Sequence, residues 1–246
     1  FIPLIHTWVN ETSKTNFKSG FLFGITYNII SNYWIGENSG ADFLVVQFSL
    51  ICAVLYLSTY WAFLGFIIGK IKSISNIYLY IPLLFVSLEW IRSFGALGFA
   101  WGNLAITQTE YLPILQFIDH FGTYLIAFLV GIVNVTTYKI LLSRKFPKFQ
   151  HIFIFLLIIL FGFVGRIKML NYPESSRFME VAVIQPNIDP NKKWDHANRT
   201  SMFNTMDSLH NEAIQLNPDI ILFPETALPT YLRLNSRIQH KLQQKV

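Results

Sequence analysis

The residues best suited to chemistry stand at the ends of short apolar runs. Glu225 follows the run Ile220–Phe223 and lies in the stretch Pro224-Glu225-Thr226, with a second proline at 229. In open α/β sheets catalytic groups gather beyond the carboxyl ends of buried strands. A partly desolvated carboxylate there suits a general base; by position alone Glu225 reads equally as a solvated loop residue. Asn187 ends another β-type run, Val181–Ile184, and would sit near Glu225 if the two strands are neighbours. Trp194, between Lys192/Lys193 and Asp195, is an aromatic in a polar stretch, suited to packing on a sheet rim, to lipid contact or to closing a pocket. Asp219 precedes its strand and reads as a turn residue.

A second group lies among apolar residues. Glu89 and Arg92 are three apart, so they share a helix face and can pair. Two roles stay open for them: an ion pair anchoring a helix end, or a polar patch facing a lipid headgroup, shaped by Gly95, Gly98 and Trp101. Cys52, among Leu50, Ile51 and Val54, reads as an inert packing residue. The six histidines (6, 120, 151, 196, 210 and 240) show no ligand spacing, and there is no CxxC. No metal and no cofactor are expected.

Composition fixes what carries these residues. Charged residues make up only 13% of the 246, hydrophobic ones 52%, and the mean hydropathy is +0.41. Soluble domains carry about 25% charged residues, so much of this surface must face lipid. Residues 1–170 hold 11 Lys/Arg and 6 Asp/Glu, the entire net charge of +5, while residues 171–246 hold 8 of each. The basic residues fall between apolar runs rather than in a stripe, which argues against nucleic acid as partner.

Five runs read as membrane spans: 19–36, 44–69, 73–91, 121–140 and 150–169. The stretch 93–109 carries Gly95, Gly98 and Gly102 and reads as a loop or re-entrant piece at the membrane surface. Connections with Lys14/Lys18, Lys70/Lys72 and Arg144/Lys145/Lys148 alternate with connections carrying Glu37/Asp42 and Glu110/Asp119. The positive-inside rule puts the first set in the cytoplasm and everything after about residue 170 outside it. Residues 1–12 are too short to span and read either as the end of a preceding helix or as an interfacial segment with Trp8 at headgroup depth. The tail 171–246 reads strand, amphipathic helix (196–217), strand: a βαβ unit opening an α/β domain.

These stretches together resemble the apolipoprotein N-acyltransferase family of bacteria. The resemblance rests on VAVIQPNIDPNKKWD (181–195), PDIILFPETALP (218–229), and the apolar segments 18–35, 88–105 and 117–134, and so covers almost the entire chain. It implies a helical membrane bundle followed by the truncated start of a nitrilase-like α-β-β-α sandwich outside the cytoplasm, in the inner membrane. It implies transfer of an acyl chain from a phospholipid to the diacylglyceryl cysteine of a lipoprotein, through a thioester on a catalytic cysteine. Membrane phospholipid and diacylated lipoprotein are then the partners of a monomer. Glu225 corresponds to the family's general base, and Trp194 to a tryptophan near the substrate.

The chain departs from the family pattern as well. Pro186 stands where the family commonly has glycine. The catalytic lysine and cysteine of the family lie further downstream; Lys241 and Lys245 follow Glu225 too closely, and Cys52 is in the wrong part of the chain. With Phe1 in first place, the sequence reads as part of a longer chain, inactive by itself. Two rival readings remain: a membrane-anchored hydrolase of the nitrilase superfamily, and a helical membrane protein or transporter without chemistry.

Overall fold

The structure, a computed structural model, describes residues 1–38, 41–143, 148–173, 177–189, 196–225, 227, 228, 230, 233, 235, 236, 239 and 240. The chain divides into two compact units, one of Phe1–Asn38 with Phe43–Pro173 and the other of Ser39–Asp42 with Glu174–Val246.

The first unit is helical. Its elements are α1 (Ile2–Asn10), α2 (Ser13–Asn32), α3 (Phe43–Ile71), α4 (Ile77–Arg92), the short α5 (Leu112–Leu115) and α6 (Ile118–Phe121), α7 (Thr123–Ser143) and α8 (Phe149–Leu170). Three of them, α3, α7 and α8, are long and apolar enough to cross a membrane, which makes this a multi-pass membrane protein. At 1.5 Å per residue, α3 alone extends about 44 Å, beyond the roughly 30 Å of a hydrocarbon core. The runs 19–36 and 73–91 also form helices with shifted bounds, as α2 begins at Ser13 and α4 at Ile77.

Small residues set how closely α2 and α3 approach. The buried residues of α2 are Asn16, Gly20, Gly24, Asn28 and Asn32, one every fourth position. A Cβ on Gly24 would lie 2.7 Å from the Cα of Ser58, and one on Gly69 of α3 would lie 2.7 Å from the Cα of Ser13. Small residues at this spacing let helix backbones touch where lipid supplies no hydrophobic drive for association. The buried asparagines bond locally: Asn16 donates to the carbonyl of Trp8 at 2.7 Å and Asn28 to that of Gly24 at 2.8 Å. Trp8 itself is fully buried in the core with Trp61, Ile81 and Phe85. Its indole lies against Gly65, where any side chain would displace it.

Pro82 interrupts the hydrogen bonding inside α4 and packs on Gly131 of α7, where a Cβ would lie 2.9 Å from the Cα of Pro82. The segment of α5 and α6 docks on α8. Tyr111 and Pro113 fill the space left by Gly162 and Gly165, Phe117 meets Phe161 at 4.6 Å, and Lys168 donates to the Gln116 carbonyl at 2.8 Å. Cys52 lies on the outer surface of α3, exposed, rather than in packing. The helix turns Val54 and Leu57 inward instead, two and five residues on, which leaves Cys52 on the opposite side.

The second unit contains β1 (Val181–Val183), α9 (Arg199–Gln215) and β2 (Ile220–Leu222). The strands pair in parallel, with Val181 opposite Ile220 and Val183 opposite Leu222. Parallel pairing of consecutive strands requires a crossover, which α9 supplies. Met202, Met206 and Ala213 form its buried face, and Ile184, Met206 and Ala213 make a small core with Ala182 and Ile221.

Candidate functional site

In the second unit, backbone bonding carries the pairing past both ends of the strands. The Ile184 N–H donates to the Leu222 carbonyl at 2.9 Å. At the opposite end, the Asp219 carboxylate accepts the Glu180 N–H at 2.9 Å, and the Asp219 N–H donates to the Glu180 carbonyl at 2.8 Å. Asp219 is thus a register lock rather than a bare turn residue. Asn187 and Glu225 both follow the carboxyl ends of these adjacent strands, four residues after Val183 and three after Leu222.

Asn187 takes the left-handed conformation, φ 49°, which Asn tolerates better than most residues. Glu225 stands in a turn, and Ala227 and Leu228 just beyond it pack on the Ile184–Met206–Ala213 core. The loop is therefore tethered on both sides of the carboxylate. Glu225 is exposed rather than partly desolvated. Trp194 lies outside the described residues. Among the described residues, no three His, Cys, Asp or Glu side chains are grouped to hold a metal.

In the first unit, Glu89 and Arg92 are both buried, each 2% exposed. Among the described residues no ion pair joins them directly. Both instead reach the end of the glycine-containing loop that follows α4. Glu89 Oε1 accepts the Leu104 N–H at 2.5 Å, and Arg92 Nη2 donates to Asn103 Oδ1 at 3.0 Å. Tyr27 of α2 donates to the Gly102 carbonyl at 2.7 Å. Three consecutive residues, 102, 103 and 104, are thus fastened by three side chains from two helices. Burial away from bulk water explains why each charge takes a fixed polar partner. Trp101, one residue earlier, is exposed and lies 4.8 Å from Trp34, ring centre to ring centre.

The roles of Tyr27 and Asn103 were not legible beforehand. The one available signal is that Asn103 is the first amide in a stretch from Ser93 to Thr109 with no ionisable side chain.

Residues 1–136, more than half of the chain, match the family model of the apolipoprotein N-acyltransferase N-terminal domain. The chain belongs to the apolipoprotein N-acyltransferase family. Among similar proteins, the apolipoprotein N-acyltransferase of Geobacter metallireducens is 29% identical over 99% of this chain and 49% of its own length. That of Aquifex aeolicus is 25% identical over 89% of this chain and 49% of its own length. That of Haemophilus ducreyi is 26% identical over 94% and 45%. The chain spans about half the length of the curated relatives it matches.

Proposed function

We propose that this chain is the membrane anchor and the first part of the catalytic domain of an apolipoprotein N-acyltransferase. On this reading a cysteine thiolate attacks the ester carbonyl of a membrane phospholipid and expels a lysophospholipid. The α-amino group of a diacylglyceryl cysteine then takes the acyl chain from the resulting thioester. Glu225 is the general base, at the carboxyl edge of β2, with Asn187 near the substrate at the neighbouring strand end; Trp194 is assigned to the substrate by the family resemblance alone. A thiol of ordinary pKa about 8.5 needs such a base to act at neutral pH. Cys52, on the lipid-facing side of α3, does not serve as nucleophile. The 246 residues hold no other cysteine and are inactive alone in this chemistry.

The architecture proposed with it has five spans in residues 1–170, with α2 and α4 joining α3, α7 and α8. Residues after about 170 lie on the extracytoplasmic side of the inner membrane, where β1, α9 and β2 open a nitrilase-like sandwich.

One observation carries the reading: the likeness to the Geobacter protein runs over 99% of the chain, so it takes in both the helical unit and the β1–α9–β2 unit. The test is the choice of acceptor. The full-length protein, incubated with phospholipid bearing a labelled acyl chain and with a diacylated lipopeptide, is expected to label the peptide on its α-amino group. Release of labelled fatty acid with the peptide unmodified supports a hydrolase instead and defeats this reading.

A further inference from the structure

The segment from Ser93 to Asn103 is not helical, and no side chain from Ser93 to Thr109 is ionisable. It turns Phe94, Leu97 and Trp101 outward, at 58%, 70% and 61% exposure. These facts pull in opposite directions. Backbone without helical bonding is not tolerated bare in hydrocarbon, while a contiguous apolar patch is not left facing water without a partner. Both are satisfied at the boundary of a bilayer, where the backbone meets headgroups and water and the side chains meet acyl chains.

The neighbouring rings fit that depth. Trp34 lies against Trp101 at 4.8 Å with the planes 31° apart, and Trp90 lies 4.8 Å from Phe94. Trp34 and Trp90 are themselves exposed. Tryptophans concentrate at membrane interfaces because the ring is apolar and the N–H is polar.

The loop is also held in shape. Gly95 and Gly102 have φ of +86° and +74°, and the Phe99 N–H donates to the Arg92 carbonyl at 2.7 Å. Its far end is fastened at 102, 103 and 104 by Tyr27, Arg92 and Glu89. Burying two ionisable side chains carries a desolvation cost, and here both side chains bond to this loop, which points to a loop whose position matters.

We propose that residues 93–103 form an interfacial ledge that inserts Phe94, Leu97 and Trp101 into the surrounding leaflet, where they pack on the acyl chains of membrane phospholipid. Glu89 and Arg92 are its positioning residues: they touch the loop and not the lipid. The inference rests on the membrane-spanning bundle and is independent of acyl transfer, so it survives or fails separately from the proposed chemistry.

The test uses the full-length protein in phosphatidylcholine vesicles, with the lipid unmodified, brominated high on the acyl chain, or brominated near the chain end. The emission of wild type minus Trp101→Phe isolates the contribution of Trp101. Bromine high on the chain is expected to quench it about twofold or more, bromine near the chain end less, and aqueous iodide little. Asn103→Ala removes the acceptor of Arg92 and is expected to weaken that lipid quenching at unchanged helicity, while Asn103→Asp, which keeps an acceptor, preserves it. Strong quenching by iodide and none by brominated lipid would place the ledge in water and overturn the proposal. Unchanged lipid quenching in Asn103→Ala would overturn the positioning role.

Discussion

Arg92 Nη2 donates to Asn103 Oδ1 at 3.0 Å, one residue before the Leu104 N–H that Glu89 accepts. The two charges of α4 thus compensate each other through the loop they hold rather than by touching. Glu89→Leu leaves Arg92 buried without a counter-charge and the Leu104 N–H without its acceptor. The expected cost is about 3–5 kcal/mol, because a lone buried charge is worse than none. The double variant Glu89→Leu/Arg92→Met is expected to lose clearly less than the two single losses combined. Thermal unfolding in detergent reads all three proteins, and strict additivity would show that the two groups are not coupled.

Close helix contact predicts a contrast between two glycines. Gly24→Val drives a side chain into Ser58 of α3, where even a Cβ would lie 2.7 Å from the Cα. It should lower stability by about 3 kcal/mol or more, the upper end of the cost of overpacking. Gly95→Ala meets nothing within 4 Å and costs only the strain of φ +86°, on the order of 1 kcal/mol. Equal losses at the two sites would contradict the packing of α2 on α3.

Asp119 responds to pH in a direction the structure fixes. The hydrogen bond from the His120 ring, first, and the one from the Lys168 ammonium at 3.0 Å, second, hold its carboxyl below the ordinary 3.8. A depressed folded-state pKa means that its stabilisation is complete above the unfolded value and fades as pH falls through the lowered one. Wild type should therefore melt slightly above Asp119→Asn at neutral pH, and the gap should close in acid below 3.8. Because the group is exposed, salt should also narrow the gap. A gap that widens in acid would reverse the assignment.

Charge distribution predicts the orientation. Reporter fusions after residue 145 should read cytoplasmic, and fusions after residue 180 external. The opposite pattern would overturn the proposed placement of β1, α9 and β2.

Much of this architecture was written in uncharged runs. The spans expected at 44–69, 121–140 and 150–169 correspond to α3, α7 and α8 within three residues at each end. The short β-type run Val181–Ile184, the periodic 196–217 and the apolar run Ile220–Phe223 correspond to the parallel β1–α9–β2 unit. What escaped was set by contacts that hydropathy does not register. α2 begins at Ser13, capped by Thr12, and carries the exposed Lys14 and Lys18 in its first turns, where a scan for uncharged runs does not start a helix. The burial of Trp8 was not legible because it packs on Gly65, far along the chain. Glu89 and Arg92 read as partners by spacing, whereas their partners arrive through the folding back of residues 103 and 104. The edge holding Asn187 and Glu225 was legible as an edge, but the exposure of the carboxylate was not.

The central claim is that Glu225 serves as the base of an acyl-transfer reaction. Its most direct measurement is the rate of N-acylation of a diacylated lipopeptide by full-length wild type and by Glu225→Gln, with labelled phospholipid in the same vesicles. Loss of a general base predicts a fall of about 10²–10⁴-fold with folding unchanged. Transfer by Glu225→Gln at the wild-type rate would contradict the account.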